Sequence, residues 1–181
     1  MRRREFITLL GGAAAAWPLA ARAQQAAMPV IAYLHSASPE PYAAMIAAFR
    51  NGLAEVGYFD SQNVTIDHRW AEGQFNRLPA LAAELVARRP AIMVAAGGDV
   101  SAAAAKAATT TLPIVFTIGG DPVGYRLVSN LGRPDGNMTG VTFFTITLGP
   151  KRLELLRELV PKAGKIAMLM KSQKFEPRRR C

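Results

Sequence analysis

Three short polar stretches, each directly after an apolar run, carry the residues that could bind a small ligand. The candidate binding residues are Ser36 and Ser38 in the first stretch, Gly98, Asp99 and Ser101 in the second, and Gly119, Gly120 and Asp121 in the third. Glycine allows positive φ and a close approach of the backbone to a ligand. The free N–H groups at the start of a helix bind anions, and a carboxylate such as that of Asp121 can offset a cation. These residue types indicate noncovalent binding of a small polar molecule.

Catalysis is the weaker interpretation of the same residues. The stretch after the first apolar run reads HSASPE at residues 35–40 and lacks the glycine fingerprint G-x-G-x-x-G, which disfavours a dinucleotide. Neither a phosphate-binding G-x-x-x-x-G-K-[ST] loop nor a G-x-S-x-G nucleophile motif occurs. His35 and Asp121 could form an acid–base pair, but a third group to support them is missing. An exported α/β enzyme therefore remains the alternative, and no cofactor is predicted.

Apolar runs and helical stripes alternate along the chain. The predicted strands are residues 30–34, 63–70, 91–96, 113–118 and 138–144, followed by a sixth apolar run at 166–170. The predicted helices are residues 40–56, 76–86, 100–108 and 148–160, with a short helix within 123–131. This alternation predicts an α/β fold, a parallel open sheet with helices on both faces. Because parallel strands end at one edge of a sheet, we expect the three polar stretches to converge there.

Several side chains have a predicted local role. Residues 63–70 alternate between an apolar and a polar face, which indicates a strand near a sheet edge, and His68 is expected to be packed and hydrogen-bonded on the apolar face. Asn76 is predicted to cap the helix that follows it, and Asp99 either caps the next helix or takes part in binding. The residues predicted to face inward from the last helix are Leu153, Leu156, Leu159 and Val160.

Residues 1–23 are predicted to be an export signal peptide. Arg2, Arg3 and Arg4 precede an uncharged run at residues 6–21, and a small-residue cleavage site follows at residues 21–23. That run is shorter than the about 20 residues of a membrane-spanning helix. The sequence RREFI at residues 3–7 resembles the twin-arginine pattern, and the general secretory route is the alternative. After cleavage the chain is predicted to be periplasmic and not membrane-spanning.

The charge distribution argues against a nucleic-acid partner. The formal net charge of +9 is concentrated in the leader and in the residues after Met170, so the body of the chain is nearly neutral. A nucleic-acid-binding protein needs a basic face on its folded part. The two histidines and the single Cys181 are too few for a histidine-rich metal site or an intrachain disulfide.

Six segments together resemble one known family. They are HRWAEG at residues 68–73, RLPALAAELV at 77–86, KAATTTLPIVF at 106–116, GGDPV at 119–123, RPDGNMTGVTF at 133–143 and LGPKRLELLRELVP at 148–161. The chain resembles the ABC-transporter substrate-binding proteins that include bacterial tryptophan and tyrosine receptors, which have the type I periplasmic binding fold. Tyr125, Arg126 and Asp135 depart from the small residues that are usual in the family.

The resemblance implies a two-lobe receptor that closes on a small solute and delivers it to an ABC permease in the inner membrane. Residues 24–164 would form the N-terminal lobe, and residues 165–181 the start of the second lobe followed by a divergent basic tail. The resemblance therefore implies truncation after the first lobe, which would impair binding. It also implies that the eight candidate residues contact the solute and that an amino-acid-like molecule is the ligand.

Overall fold

The computed structural model describes residues 28–134 and 136–167. The chain divides into two compact units, Met1–Phe143 and Phe144–Cys181. The predicted export signal, Asp135 and residues 168–181, with most of the sixth apolar run and the basic tail, lie outside the described residues. No helix in the described part of the chain is both long and apolar enough to cross a membrane.

The described residues of the first unit form five strands and three α-helices. The strands are β1 (Val30–His35), β2 (Thr65–Trp70), β3 (Ile92–Ala96), β4 (Ile114–Ile118) and β5 (Met138–Thr142). The helices are α1 (Ala43–Glu55), α2 (Leu78–Ala87) and α3 (Asp99–Ala108), with 3-10 turns at Glu40–Tyr42 and Phe75–Arg77 before α1 and α2. The second unit contains a 3-10 turn, Thr145–Leu148, and α4 (Gly149–Leu159).

The five strands form one sheet in the order β2-β1-β3-β4-β5, and every pair is parallel. Ile31 of β1 lies between Ile66 of β2 and Ile92 of β3. One face packs against Phe49 and Leu53 of α1, and the other packs against α2 and α3. The predicted parallel α/β sheet with helices on both faces is confirmed. β1 and β3 read as continuous apolar runs because both of their faces are buried.

Small side chains bring α3 close to the sheet. Ala102 and Ala105 are fully buried in the cluster that also contains Met93 of β3 and Ile114 of β4. Because alanine projects only a methyl group, the helix backbone can approach the strands closely. The alanine-rich sequence of α3 therefore reflects packing against the sheet.

β2 is an edge strand with one polar face, as its alternating sequence predicts. On that face Arg69 pairs with Asp67 at 2.5 Å and with Glu84 of α2 at 2.8 Å, and Arg88 reaches Asp67 at 3.0 Å. Charged side chains on an edge strand oppose pairing with a second sheet. The ion pairs also tie the edge strand to α2.

The predictions for residues 123–131 and for Asn76 are wrong. Residues 123–131 form turns instead of a short helix, because the Asp121 carboxylate accepts the Val123 N–H at 2.9 Å and Arg126 adopts a left-handed φ of +56°. Asn76 does not cap α2, since the preceding residues form a 3-10 turn and Arg77 occupies the N-cap position without a side-chain hydrogen bond.

Replacing Arg126 by glycine should raise the free energy of unfolding by about 0.5 to 1 kcal/mol. A residue with a β-carbon is strained by about 1 kcal/mol or more in the left-handed region. Glycine removes that strain but loses more backbone entropy on folding. Arg126→Ala is the matched control, because it removes the same side chain and keeps the strain. Urea denaturation of the three proteins measures the difference. A glycine variant no more stable than the alanine variant would contradict the interpretation.

The helix of the second unit leaves its apolar side chains exposed. The side chains predicted to face inward are largely exposed: Leu153 43%, Leu156 46%, Leu159 78% and Val160 53%. Within the second unit, the described residues therefore leave the predicted inward face uncovered. Helical periodicity reveals an apolar stripe, but it does not show which surface covers that stripe.

Candidate functional site

The strand order places a crevice at the carboxyl ends of β1 and β3. The chain leaves β1 for β2 on one side of the sheet and leaves β3 for β4 on the other. Open α/β sheets bind ligands at the point where the direction of the strand order reverses. In the order 2-1-3-4-5 that point lies between the first and third strands. The first two predicted polar stretches directly follow these strands. The fold therefore gives them a common position.

Ser36 and Gly97 join the two loops. The Ser36 hydroxyl donates a hydrogen bond to the Gly97 carbonyl at 2.5 Å, and Ser36 is only 6% exposed. Gly97 has a φ of +83°, and a β-carbon there would lie 2.6 Å from the Ser36 hydroxyl oxygen. Glycine is therefore required at residue 97 both by the backbone conformation and by the close approach of the two loops.

The start of α3 faces this junction with a helix end that carries no side-chain cap. Gly98 occupies the N-cap position with φ +103° and ψ −175°, a region that is essentially restricted to glycine. Asp99 is the first residue of the helix and does not cap it, so of its two predicted roles the structure contradicts capping, and binding stays a prediction. The N–H groups of the first turn lack carbonyl partners within the helix and can receive an anion.

Ser101 adds a buried polar atom to the same helix end. It is fully buried, and its hydroxyl has no hydrogen-bond partner among the described residues. Leaving such a group unpaired costs about 1 to 3 kcal/mol. Ser38 lies in the loop after β1 and is half-buried. The structure thus brings Ser36, Gly98, Asp99 and Ser101 to one crevice.

The loop after β4 is built differently from its prediction. Gly120 does not adopt a positive φ, and its missing side chain instead makes room for the ring of Tyr125. The Gly120 carbonyl accepts a hydrogen bond from the Thr142 hydroxyl at 2.5 Å. Asp121 is exposed, and its carboxylate accepts the Val123 N–H. Gly119, Gly120 and Asp121 therefore lie at the predicted edge, in a loop that is hydrogen-bonded to β5 and to its own turn.

Sequence reasoning missed an aromatic cluster beside the crevice. The buried ring of His35 lies 4.3 Å from Tyr42 and 4.7 Å from Trp70, measured between ring centroids. Its Nδ1 atom accepts the Ala37 N–H at 3.0 Å, and burial lowers the pKa of His35 to about 4. A fully buried imidazole of this kind is unsuited to acid–base chemistry with Asp121. The signal was present in the sequence as aromatic side chains on alternate residues of β1 and β2.

His68 belongs to the same cluster. Its ring lies 5.1 Å from that of Tyr33, which confirms that it is packed. Neither ring nitrogen has a hydrogen-bond partner among the described residues, so the prediction of a hydrogen-bonded histidine is wrong. The pKa of His68 is lowered mainly because burial disfavours the charged ring, and the positive charge of the nearby Arg50 lowers it further.

A groove of about 400 Å³ lies away from the crevice, beside Lys106, Arg126 and Met138. Met138 begins β5, whereas the candidate residues lie at the other ends of the strands. The Lys106 ammonium group is already engaged by the carbonyl groups of Arg126 and Leu127. In the described part of the chain, no group of three His, Cys, Asp or Glu residues could hold a metal ion. The crevice between β1 and β3 thus remains the better candidate.

Comparison with known proteins agrees with this geometry. Residues 29–179 match the family described as ABC transporter substrate binding protein. The chain belongs to this family. Its description is that of the binding component of a transporter and not of an enzyme.

Relatives of known name or structure extend the comparison. A tyrosine-binding protein of Clostridioides difficile (strain R20291) is 34% identical over 121 residues, which are 67% of this chain and 34% of the relative. A conserved domain protein of Vibrio cholerae O1 biovar El Tor has a TM-score of 0.67 at 30% identity, covering 75% of this chain and 45% of that one. An ABC domain from Streptococcus pneumoniae in complex with L-Trp has a TM-score of 0.58 at 32% identity, covering 64% and 39%. This chain spans less than half the length of these relatives.

Proposed function

We propose that this chain forms one wall of the solute-binding cleft of an ABC importer's extracytoplasmic receptor. Residues 24–164 would be the first lobe, residues 165–181 the start of the second, and the solute would lie between the two lobes. The crevice at the β1–β3 reversal is the observation that carries the proposal. There the Ser36–Gly97 contact lies beside the start of α3, whose first turn has no side-chain cap and whose Ser101 hydroxyl has no hydrogen-bond partner among the described residues.

An amino acid fits the charges at this edge. The amides at the start of α3 would bind its carboxylate, because an uncapped helix N-terminus attracts anions. The exposed Asp121 carboxylate would offset its ammonium group. The tyrosine-binding relative and the relative solved with L-Trp support an amino acid as the solute class. The first lobe supplies only part of the contacts in a two-lobe receptor, so L-tryptophan should bind weakly to residues 1–181 when these are studied alone.

An NMR titration of the ¹⁵N-labelled chain with L-tryptophan tests the proposed site at weak affinity. We expect the largest shift changes at the amides of Asp99, Val100 and Ser101 and at Ser36. Tryptophanamide, which lacks the carboxylate, is the matched control and should leave the α3 amides nearly unchanged. Equal shifts with both ligands, or shifts confined to the groove near Lys106, would contradict the carboxylate assignment.

Asp121→Asn should weaken L-tryptophan binding about two- to fivefold, the effect of removing one partly exposed ion pair of up to about 1 kcal/mol. Asparagine can keep the side-chain acceptor for the Val123 N–H, so the substitution changes the charge and preserves the turn. Indole-3-propionate, which lacks the ammonium group, is the control ligand and should bind both proteins equally. An unchanged affinity for L-tryptophan would overturn the ammonium role.

The proposed partner is an ABC permease, and the proposed location is the periplasm. The leader at residues 1–23, with its arginine start and small-residue cleavage site, supports export by the twin-arginine or general secretory route. Expression in a Gram-negative host followed by N-terminal sequencing of the exported chain tests this. We expect a mature start near Gln24. A chain that keeps Met1 in the cytoplasm would refute export.

A further inference from the structure

His35 makes contacts with several elements at the carboxyl edge of the sheet. It is the last residue of β1, it is fully buried, and its ring packs against Tyr42 before α1 and Trp70 at the end of β2. A β-carbon on Gly97 would lie 2.8 Å from both the Cε1 and Nδ1 atoms of His35, so the imidazole edge lies directly against the loop after β3. The ring thus contacts the loop after β1 and the loop after β3.

The Nδ1 atom of His35 also fixes the course of the loop after β1. It accepts the Ala37 N–H at 3.0 Å, and this hydrogen bond turns the chain immediately after the strand. The turn places the Ser36 hydroxyl at 2.5 Å from the Gly97 carbonyl. Because Nδ1 is the acceptor, the neutral ring carries its proton on Nε2.

We propose that His35 is a positioning residue, which holds the loop after β1 in the shape that joins Ser36 to Gly97. Its relevance to solute binding rests on the proposed function, whereas its effect on the loop does not. In this proposal His35 acts through the two loops and does not itself bind the solute. Its role requires an acceptor at the Nδ1 position together with a ring that fills the space beside Gly97.

The test compares His35→Asn with His35→Leu in the full chain. An asparagine side chain can accept the N–H two residues ahead, as in an Asx turn, and leucine cannot. We expect the Ala37 amide to exchange with solvent about tenfold faster in His35→Leu, the effect of losing one hydrogen bond, and to stay near the wild-type rate in His35→Asn. The amide of Val94 in the middle of β3 reports the global stability of each variant, and the change at Ala37 is measured relative to it. Equal Ala37 rates in all three proteins would overturn the proposal.

A second measurement keeps the proposal testable should the leucine variant not fold. The ¹⁵N signals of the His35 ring in the wild-type chain report which nitrogen carries the proton. At pH 7 we expect a neutral ring protonated on Nε2, and a proton on Nδ1 would overturn the proposal because Nδ1 could not then accept a hydrogen bond.

Titration of the same variants with L-tryptophan separates the two proposals. Weaker shifts in His35→Leu than in His35→Asn support both. A faster-exchanging Ala37 amide with unchanged tryptophan shifts supports the positioning role and counts against the crevice as the solute site.

Discussion

Replacing Gly97 by alanine should lower the free energy of unfolding by about 3 kcal/mol. The residue has a φ of +83°, a conformation in which backbone strain destabilises an L-residue by about 1 to 2 kcal/mol. A methyl group there would also lie 2.6 Å from the Ser36 hydroxyl and 2.8 Å from the His35 ring, and forcing an extra carbon into a packed site costs typically 1 to 3 kcal/mol. His35 is fully buried and Ser36 nearly so, so neither can move aside cheaply.

Gly57→Ala is the matched control for this prediction. Gly57 has nearly the same φ, +86°, at the end of α1, but a β-carbon there meets nothing within 4 Å. It should therefore cost only the backbone strain, about 1 to 2 kcal/mol. Chemical denaturation of both variants gives the two values, and their difference measures the steric contribution. Equal losses would show that the loops can separate freely at Gly97.

The same substitution should also disturb the candidate site. Moving Ser36 away from the Gly97 carbonyl would alter the entrance to α3, where the first-turn amides lie. We therefore expect Gly97→Ala to reduce the tryptophan-induced shifts of those amides, whereas Gly57→Ala leaves them unchanged. A stable Gly97→Ala protein with normal shifts would contradict the link between loop packing and binding.

Much of the fold could be predicted because its signals are local. The continuous apolar runs of β1 and β3, the alternation in β2 and the glycine that ends α1 each follow from a few neighbouring residues. Convergence of the loops at one edge then follows from parallel topology. Six of the eight candidate residues lie in loops after strands, because glycine and small polar residues mark such loops directly, whereas Asp99 and Ser101 lie in the first turn of α3.

The wrong predictions depend on the conformation of a folded loop or helix start, or on which side chains become neighbours in space. The sequence around Gly120 predicts a glycine needed for its backbone conformation. In the folded turn, glycine is instead needed because the ring of Tyr125 occupies the space of a side chain. His68 reads as a hydrogen-bonded core histidine, but the neighbouring side chains are aromatic and offer its ring no partner in the described part of the chain. Asp99 has the chemistry of a helix cap but lies one residue too late, because Gly98 takes the N-cap position.

The buried histidines should make the protein less stable in mild acid. Burial lowers the pKa of His35 from 6.5 to about 4, so between these values the unfolded chain binds a proton that the folded chain does not. Stability then falls as the pH falls, and lowering the pH from 7 to 5 should cost about 2 kcal/mol from His35 alone. His68 has a pKa lowered in the same direction and adds to the loss, although Asp60 and Asp67 near it oppose the shift.

Urea denaturation at pH 7, 6 and 5 measures this dependence, and the range avoids the pH at which most carboxylates titrate. His35→Leu should be less stable than the wild type at pH 7, because it leaves the Ala37 N–H without its acceptor, but it should lose less stability on going to pH 5. His68→Leu should reduce the pH dependence of the free energy of unfolding that remains, and the stability of the double variant should be nearly independent of pH in this range.

If the wild-type chain has the same stability at pH 7 and pH 5, its histidines are not held neutral by the fold. In that case the rings of the aromatic cluster would have to reach solvent in the native state, contrary to the full burial of His35.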